Sequence, residues 1–197
     1  RFLRRRRPPA ALLDLFTVAT AWAETGAAPP DVLACLAGKQ LTLLGDLKHG
    51  RTTHSLALLC SRLAAPPSLV LVSPPELRMP QAVCDKLRAR GVAVEETDAL
   101  RQVLPQTDVL YVTRVQRERF ATEEAYRAVA GSYVVDKALM EAAPPRCVVL
   151  HPLPRVDEIS TDFDADPRAR YFEQMENGMY VRMALLALVL GADLAAL

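Results

Sequence analysis

Three polar clusters in this 197-residue chain hold the side chains best suited to chemistry, and each directly follows an apolar run. They are Gly45-Asp46-Leu47-Lys48-His49-Gly50-Arg51-Thr52, Thr113-Arg114-Val115-Gln116 and His151-Pro152-Leu153-Pro154-Arg155. A guanidinium is a planar fork that meets a carboxylate or phosphate with two parallel hydrogen bonds and keeps its charge. Arg51 stands at an expected helix start, where main-chain N–H groups and the helix dipole also favour an anion. Arg114 lies just past a strand end, and Gln116, two residues on, adds a neutral donor. Two arginines on adjacent loops would clamp a dicarboxylate at both ends. The three clusters together point to a pocket for a small, multiply anionic ligand. The competing reading pairs each arginine with a local acid such as Asp46, Glu118 or Asp157.

The two prolines of His151-Pro152-Leu153-Pro154 stiffen the backbone. Such a turn either presents carbonyl oxygens to an ammonium or attacking amine, or is a rigid connector. His151 and His54 are of a type that can move protons, or they are satisfied structural histidines. Gly45-x4-Gly50-Arg51-Thr52 comes close to the phosphate-binding loop GxxxxGK[ST], but arginine replaces the lysine and the loop interior carries bulk and an acid. A nucleotide site is therefore disfavoured.

Elements that would carry these clusters follow from hydrophobic patterning. Short apolar runs bounded by Gly and Pro predict strands at Leu41–Leu44, Leu69–Val72, Val92–Glu95, Val109–Val112 and Val148–Leu150. Helices are expected at Ala10–Ala23, Thr52–Leu63, Pro80–Arg90, Ala99–Leu104, Thr122–Val129, Lys137–Ala142 and Pro167–Leu190, the last broken near Asn177-Gly178. Loops are expected over Thr25–Asp31 and Pro152–Asp166. Alternating strands and helices imply an α/β fold, with a doubly wound parallel sheet of about five strands covered by helices on both faces. In that order strand one lies beside strand four. A crevice opens there, fed by the loops after strands one, four and five. Those loops are the three polar clusters.

Composition bounds the rest. Hydrophobic residues make up 51% of the chain, enough for a sizeable core, and the net charge of +1 gives no global field for nucleic acid or a membrane surface. Arg1, Arg4, Arg5, Arg6 and Arg7 precede any acid, so residues 1–10 read as a basic lead-in or a targeting remnant. Residues 11–38 read as a bridging helix and linker, and 39–197 as the ligand-binding unit. No apolar stretch reaches the roughly 18 residues of a membrane span. Cys35, Cys60, Cys84 and Cys147 contain no CxxC pair, which argues against a metal or redox site and for buried thiols in a reducing, cytoplasmic compartment.

The stretches GDLKHGRTTHSLALL, PPELRMP, YVTRVQRERF and VLHPLPRVDEISTDFDADPRARYFEQMENGMYVRMALLALVLG resemble aspartate transcarbamoylase, in wording nearest to that domain of the multifunctional animal pyrimidine-synthesis protein. The resemblance runs from about Ala11 to Gly191. Pro152 stands where the sister ornithine family has the cysteine of HCLP, and the TRVQ form also favours aspartate. The resemblance implies a transferase that moves a carbamoyl group from carbamoyl phosphate to the amine of L-aspartate, without metal or organic cofactor. It implies that Arg51 holds the α-carboxylate, that Arg114 and Gln116 hold the β-carboxylate, and that Leu153 and Pro154 offer backbone carbonyls near the amine and carbamoyl group. Lys48, Thr113, Arg119 and His151 would support these loops.

Members of that family carry a preceding carbamoyl-phosphate domain with an SxRTR motif and form trimers mainly through it. Their HPTQALLD appears here as Arg7-Pro8-Pro9-Ala10-Ala11-Leu12-Leu13-Asp14. The chain is thus expected to hold the aspartate half of a site and to be inactive alone, needing that domain or a homo-oligomer. Leu12, Leu13, Phe16 and the Ala184–Leu190 face would lack part of their packing partner. The alternative is a non-catalytic amino-acid-binding or scaffolding module of the same fold.

Overall fold

A computed structural model of the chain describes residues 8–24 and 34–192. Five strands, β1 (Gln40–Gly45), β2 (Ser68–Val72), β3 (Val94–Thr97), β4 (Val109–Thr113) and β5 (Val148–Leu150), form one sheet in the order β3-β2-β1-β4-β5. Every pairing is parallel, with Leu41 opposite Leu69 on one side and Val109 on the other. Strand one does lie beside strand four, as the doubly wound pattern requires.

Among the described residues seven α-helices accompany the strands: α1 (Pro8–Glu24), α2 (Arg51–Cys60), α3 (Gln81–Arg88), α4 (Leu100–Val103), α5 (Glu123–Arg127), α6 (Lys137–Met140) and α7 (Tyr171–Val189). Side chains alternate across a strand, so each strand feeds two cores. Leu41, Leu43, Leu71, Tyr111 and Leu150 pack with Leu15, Val18 and Trp22 of α1, Leu56 and Ala57 of α2 and Leu87 of α3. On the other face Leu44, Val72, Leu110 and Val149 meet Leu100, Leu139, Met140, Phe163 and Tyr171. Burial on both faces is why these strands read as unbroken apolar runs.

Several boundaries differ from the patterning, each for a local reason. Pro8–Ala10 form the first turn of α1 rather than the end of a basic lead-in, because a helix's first N–H groups need no partner. Residues 1–7 and the loop expected over Thr25–Asp31 lie outside the described residues. β3 pairs from Val94 on, two residues late. Val92 is spent on the end of α3, where its N–H donates to the Leu87 carbonyl at 3.2 Å. The last helix begins at Tyr171, not Pro167. Residues 168–170 instead line the free edge of β5: the Val149 N–H donates to Arg168 O at 2.8 Å and the Arg170 N–H to Val149 O at 3.0 Å.

α7 also runs unbroken through Asn177-Gly178. Gly178 is there for close approach: a Cβ on it would lie 3.4 Å from Leu13 Cδ2 of α1 and 3.0 Å from the Arg182 guanidinium. α1 packs against α2, α7 and β5. Of the α1 residues expected to lack part of their packing partner, Leu13 is therefore buried, and Leu12 and Phe16 are half-buried. Most of the large exposed apolar side chains among the described residues lie along α7 and its end, from Phe172 through Met179 and Met183 to Leu190. Among the described residues no helix is long and apolar enough to cross a membrane.

Candidate functional site

A cavity of about 400 Å³ opens at the carboxyl ends of β1, β4 and β5. Its walls include Arg51 and Thr52 after β1, Thr113 at the end of β4 with Arg114, Gln116 and Arg119 after it, and His151, Pro152, Leu153 and Pro154 after β5. The switch point therefore gathers residues more than 100 positions apart.

The β1 exit is shaped by its own side chains. Asp46 is buried and accepts bonds from the His49 N–H at 2.9 Å and from His49 Nδ1 at 3.1 Å. This turn delivers Gly50 as the residue before α2, with no side chain capping the helix. First-turn N–H groups are left for a ligand or water. Arg51 is exposed and, among the described residues, makes no ion pair. His54 Nε2 meets Leu47 O at 2.7 Å, so His54 holds this turn. Lys48 is exposed and lies outside the cavity wall.

The β4 exit is tied to the β1 exit. Thr113 is buried and its Oγ1 donates to Leu44 O at 3.0 Å. Arg114 is half-buried and pairs with Glu118 at 3.0 Å. The local acid expected of the competing reading is thus present for Arg114, but Glu118 is exposed, and such pairs are weak. Gln116 Oε1 accepts from Arg119 Nε at 3.1 Å, which turns the Gln116 amide NH2 away from Arg119.

The β5 exit is the stiffest. The Leu153-Pro154 peptide is cis and Leu153 has φ 40°, a left-handed conformation strained for leucine. His151, 1% exposed, holds it: His151 Nδ1 accepts the Leu153 N–H at 2.9 Å, and Nε2 meets Glu158 Oε1 at 2.6 Å. Accepting at Nδ1 places the ring proton on Nε2, facing Glu158. Both nitrogens are engaged, so His151 shapes the turn and is not free to move protons. Burial works against ionising Glu158, but the bond from His151 and those from main-chain N–H groups outweigh it and hold the carboxyl below its usual range. Arg155 does not join the cavity. Its guanidinium turns to the Asp164 carboxylate and to Tyr171 Oη at 3.2 Å, not to Asp157.

Four further polar residues of the cavity wall were not singled out by the sequence: Asp14, Tyr111, Gln174 and Arg182. Asp14, a lone acid inside the apolar run of α1, was the legible signal. It is 1% exposed and its Oδ1 accepts from Gln174 Nε2 at 2.7 Å. Burial pushes the Asp14 carboxyl up to about 7, only partly offset by Gln174 and Tyr111. All four cysteines are buried and without disulfides, and burial pushes the Cys84 thiol up to about 11 and Cys147 up to about 12.

Residues 37–189 match the family model "Aspartate/ornithine carbamoyltransferase, Asp/Orn binding domain". The chain is 49% identical over 184 residues to the multifunctional protein CAD of Squalus acanthias, covering 93% of this chain and 8% of that protein. It is 46% identical over 187 residues to the aspartate carbamoyltransferase catalytic subunit of Methanopyrus kandleri, covering 94% of this chain and 56% of the subunit. The crystal structure of aspartate transcarbamoylase from Trypanosoma cruzi in complex with carbamoyl phosphate and aspartate superposes with a TM-score of 0.80 at 41% identity, covering 92% of this chain and 56% of that one. The chain thus spans little more than half of the catalytic subunits it matches. With the wound sheet, the crevice at its switch point and these matches together, the chain belongs to the aspartate/ornithine carbamoyltransferase family, in the region of its Asp/Orn-binding domain.

Proposed function

We propose that the cavity binds L-aspartate and that the protein transfers a carbamoyl group from carbamoyl phosphate to the amine of that aspartate. One observation carries the reading: Arg51 and Arg114, from loops after two neighbouring strands, line the same cavity of about 400 Å³. Arg51 and the uncapped start of α2 suit one carboxylate; Arg114 and the free amide NH2 of Gln116 suit the other. The same cations select against ornithine, whose side-chain ammonium would face Arg114 unpaired. The Trypanosoma cruzi relative has been crystallised with both aspartate and carbamoyl phosphate, which supports the choice of substrates.

In this reading the Leu153 and Pro154 carbonyls accept hydrogen bonds from the aspartate amine and the carbamoyl group. The amine nitrogen bonds to the carbamoyl carbon, the bond from that carbon to the phosphate oxygen breaks, and phosphate leaves with the electron pair. The amine gives up a proton to the departing phosphate, which leaves carbamoyl-aspartate and hydrogen phosphate. His151 is tied on both sides, so the protein's contribution is placement and charge stabilisation. Lys48 and Arg119 are proposed only as supports of the loops.

Calorimetry with succinate, a non-reacting diacid, tests the site. Binding that falls at least tenfold in both Arg51→Ala and Arg114→Ala supports it, and unchanged affinity in both overturns it. Formation of carbamoyl-aspartate from the two substrates, by the chain alone and by the full-length protein, tests the transfer.

A further inference from the structure

Asp14 is the least explained polar group in the core. It lies on α1 between Leu13 and Leu15, is 1% exposed, and among the described residues its Oδ2 has no hydrogen bond of full geometry, with Tyr111 as its polar neighbour. Tyr111 Oη, also buried, likewise lacks a partner of full geometry. Asp14 and Thr52 are the polar neighbours that act on Tyr111. A buried carboxylate oxygen without a well-formed hydrogen bond is unfavourable.

The other oxygen shows where Asp14 acts. Gln174 Nε2 donates to Asp14 Oδ1 at 2.7 Å, and Gln174 Oε1 accepts the His151 N–H at 2.9 Å. Both ends of the Gln174 amide are therefore fixed. His151 Nδ1 then accepts the Leu153 N–H at 2.9 Å. A line of hydrogen bonds runs from α1, through α7 and His151, to the strained residue whose carbonyl is proposed above to contact the substrate. We propose that Asp14 is a positioning residue of this site: through Gln174 and His151 it holds the Leu153–Pro154 turn, and it takes up a proton when a dianionic ligand enters.

The surroundings explain the proton. Facing Asp14 are Tyr111 of β4, Cys60 of α2, the neutral Gln174 of α7 and, beyond it, His151 after β5. Arg51 of α2 and Arg182 of α7 share the cavity wall, but Arg182 donates to Gly178 O at 2.9 Å, and neither makes an ion pair with Asp14 among the described residues. Among the described residues no cation stabilises the carboxylate, and burial favours its protonated form near neutrality. Bringing two negative charges into the adjoining cavity disfavours it further. By linkage, binding then draws in a proton. The ligand half of this proposal rests on the functional reading above; the hydrogen-bond line does not.

The test follows the ligand-free chain by amide NMR from pH 5.5 to 8.5. The His151 and Leu153 amides should titrate together with a midpoint of about 7, and Asp14→Asn should abolish the step. Tyr111→Phe, which removes the hydroxyl beside Oδ2, should move the midpoint upward and serves if Asp14→Asn fails to fold. Flat amides in the unmodified chain, a step that survives Asp14→Asn, or a midpoint unmoved in Tyr111→Phe each overturn the proposal. Calorimetry of succinate at pH 7 in two buffers of different ionisation enthalpy should show proton uptake, lost in Asp14→Asn; binding with no uptake also overturns it. Titrating amides in a chain that binds no succinate would leave the hydrogen-bond line standing and sink the functional reading instead.

Discussion

Gly45 and Thr113 meet where the first and fourth strands end. A Cβ on Gly45, which has φ 108°, would lie 2.2 Å from the Thr113 carbonyl oxygen and 3.0 Å from its Oγ1. This contact sets the spacing between the loops that carry Arg51 and Arg114. Gly45→Ala adds both a strained backbone and a clash with main chain, and is expected to cost about 3 kcal/mol of stability. Thermal melts check that figure, and calorimetry with succinate should show weaker binding in whatever folds.

Arg51 and Arg114 are expected to contribute about 2–3 kcal/mol each to diacid binding, the lower part of the usual range because both are partly open to water. Raising the salt concentration should weaken succinate binding for the same reason. Titrations of the two single variants and the double variant at two salt concentrations measure both effects.

Stability should carry the signature of Asp14. Its folded carboxyl is raised to about 7 from the ordinary 3.8, so the folded state binds more protons than the unfolded chain between those values. Stability from this group therefore declines as pH rises from about 4 to about 7 and is level above that, a total of at most about 4 kcal/mol. Asp14→Asn removes the slope. Its stability relative to the unmodified chain should rise with pH across that window, as measured by urea denaturation at several pH values.

His151→Ala removes the partner of a buried carboxylate and the acceptor that holds Leu153. A loss of about 3 kcal/mol and of measurable succinate binding is expected. The Glu158 contribution has the opposite sign to that of Asp14. Its carboxyl is held low in the fold, so its stabilisation is present above the unfolded value and lost as pH falls through the folded one. Denaturation profiles of the variant should lose this acid-side component.

The exposed face near the end of α7 makes a contrasting case. Leu186 is 62% exposed and Val189 81% exposed. Replacing either with glutamate should alter stability by less than about 0.5 kcal/mol. Light scattering of the chain at high concentration should fall, because a contiguous apolar surface has been interrupted.

The sheet and crevice were legible because buried parallel strands are nearly continuous apolar runs, and the polar clusters follow them at the ligand-binding end. The Asp14–Gln174 bond was not legible: its partners lie 160 residues apart, and nothing local to either names the other. Arg155 misled for a related reason. Asp157 is nearer in sequence, but the chain folds back to place Asp164 and Tyr171 beside the guanidinium. Tertiary proximity, not spacing, decided whether an arginine reached the cavity or served the scaffold.

Residues 168–170 along β5 have a consequence for the molecule's behaviour in a crowded solution. By occupying the Val149 N–H and carbonyl, they remove the hydrogen-bonding template that a foreign strand would need to extend the sheet. The opposite border, β3, carries Glu95 and Glu96, the latter paired with Arg88 at 3.0 Å, and charged side chains on an edge strand make a poor docking surface for a second copy. Both margins of the sheet are thereby defended against fibrous growth, one by a strap of its own chain and one by charged side chains.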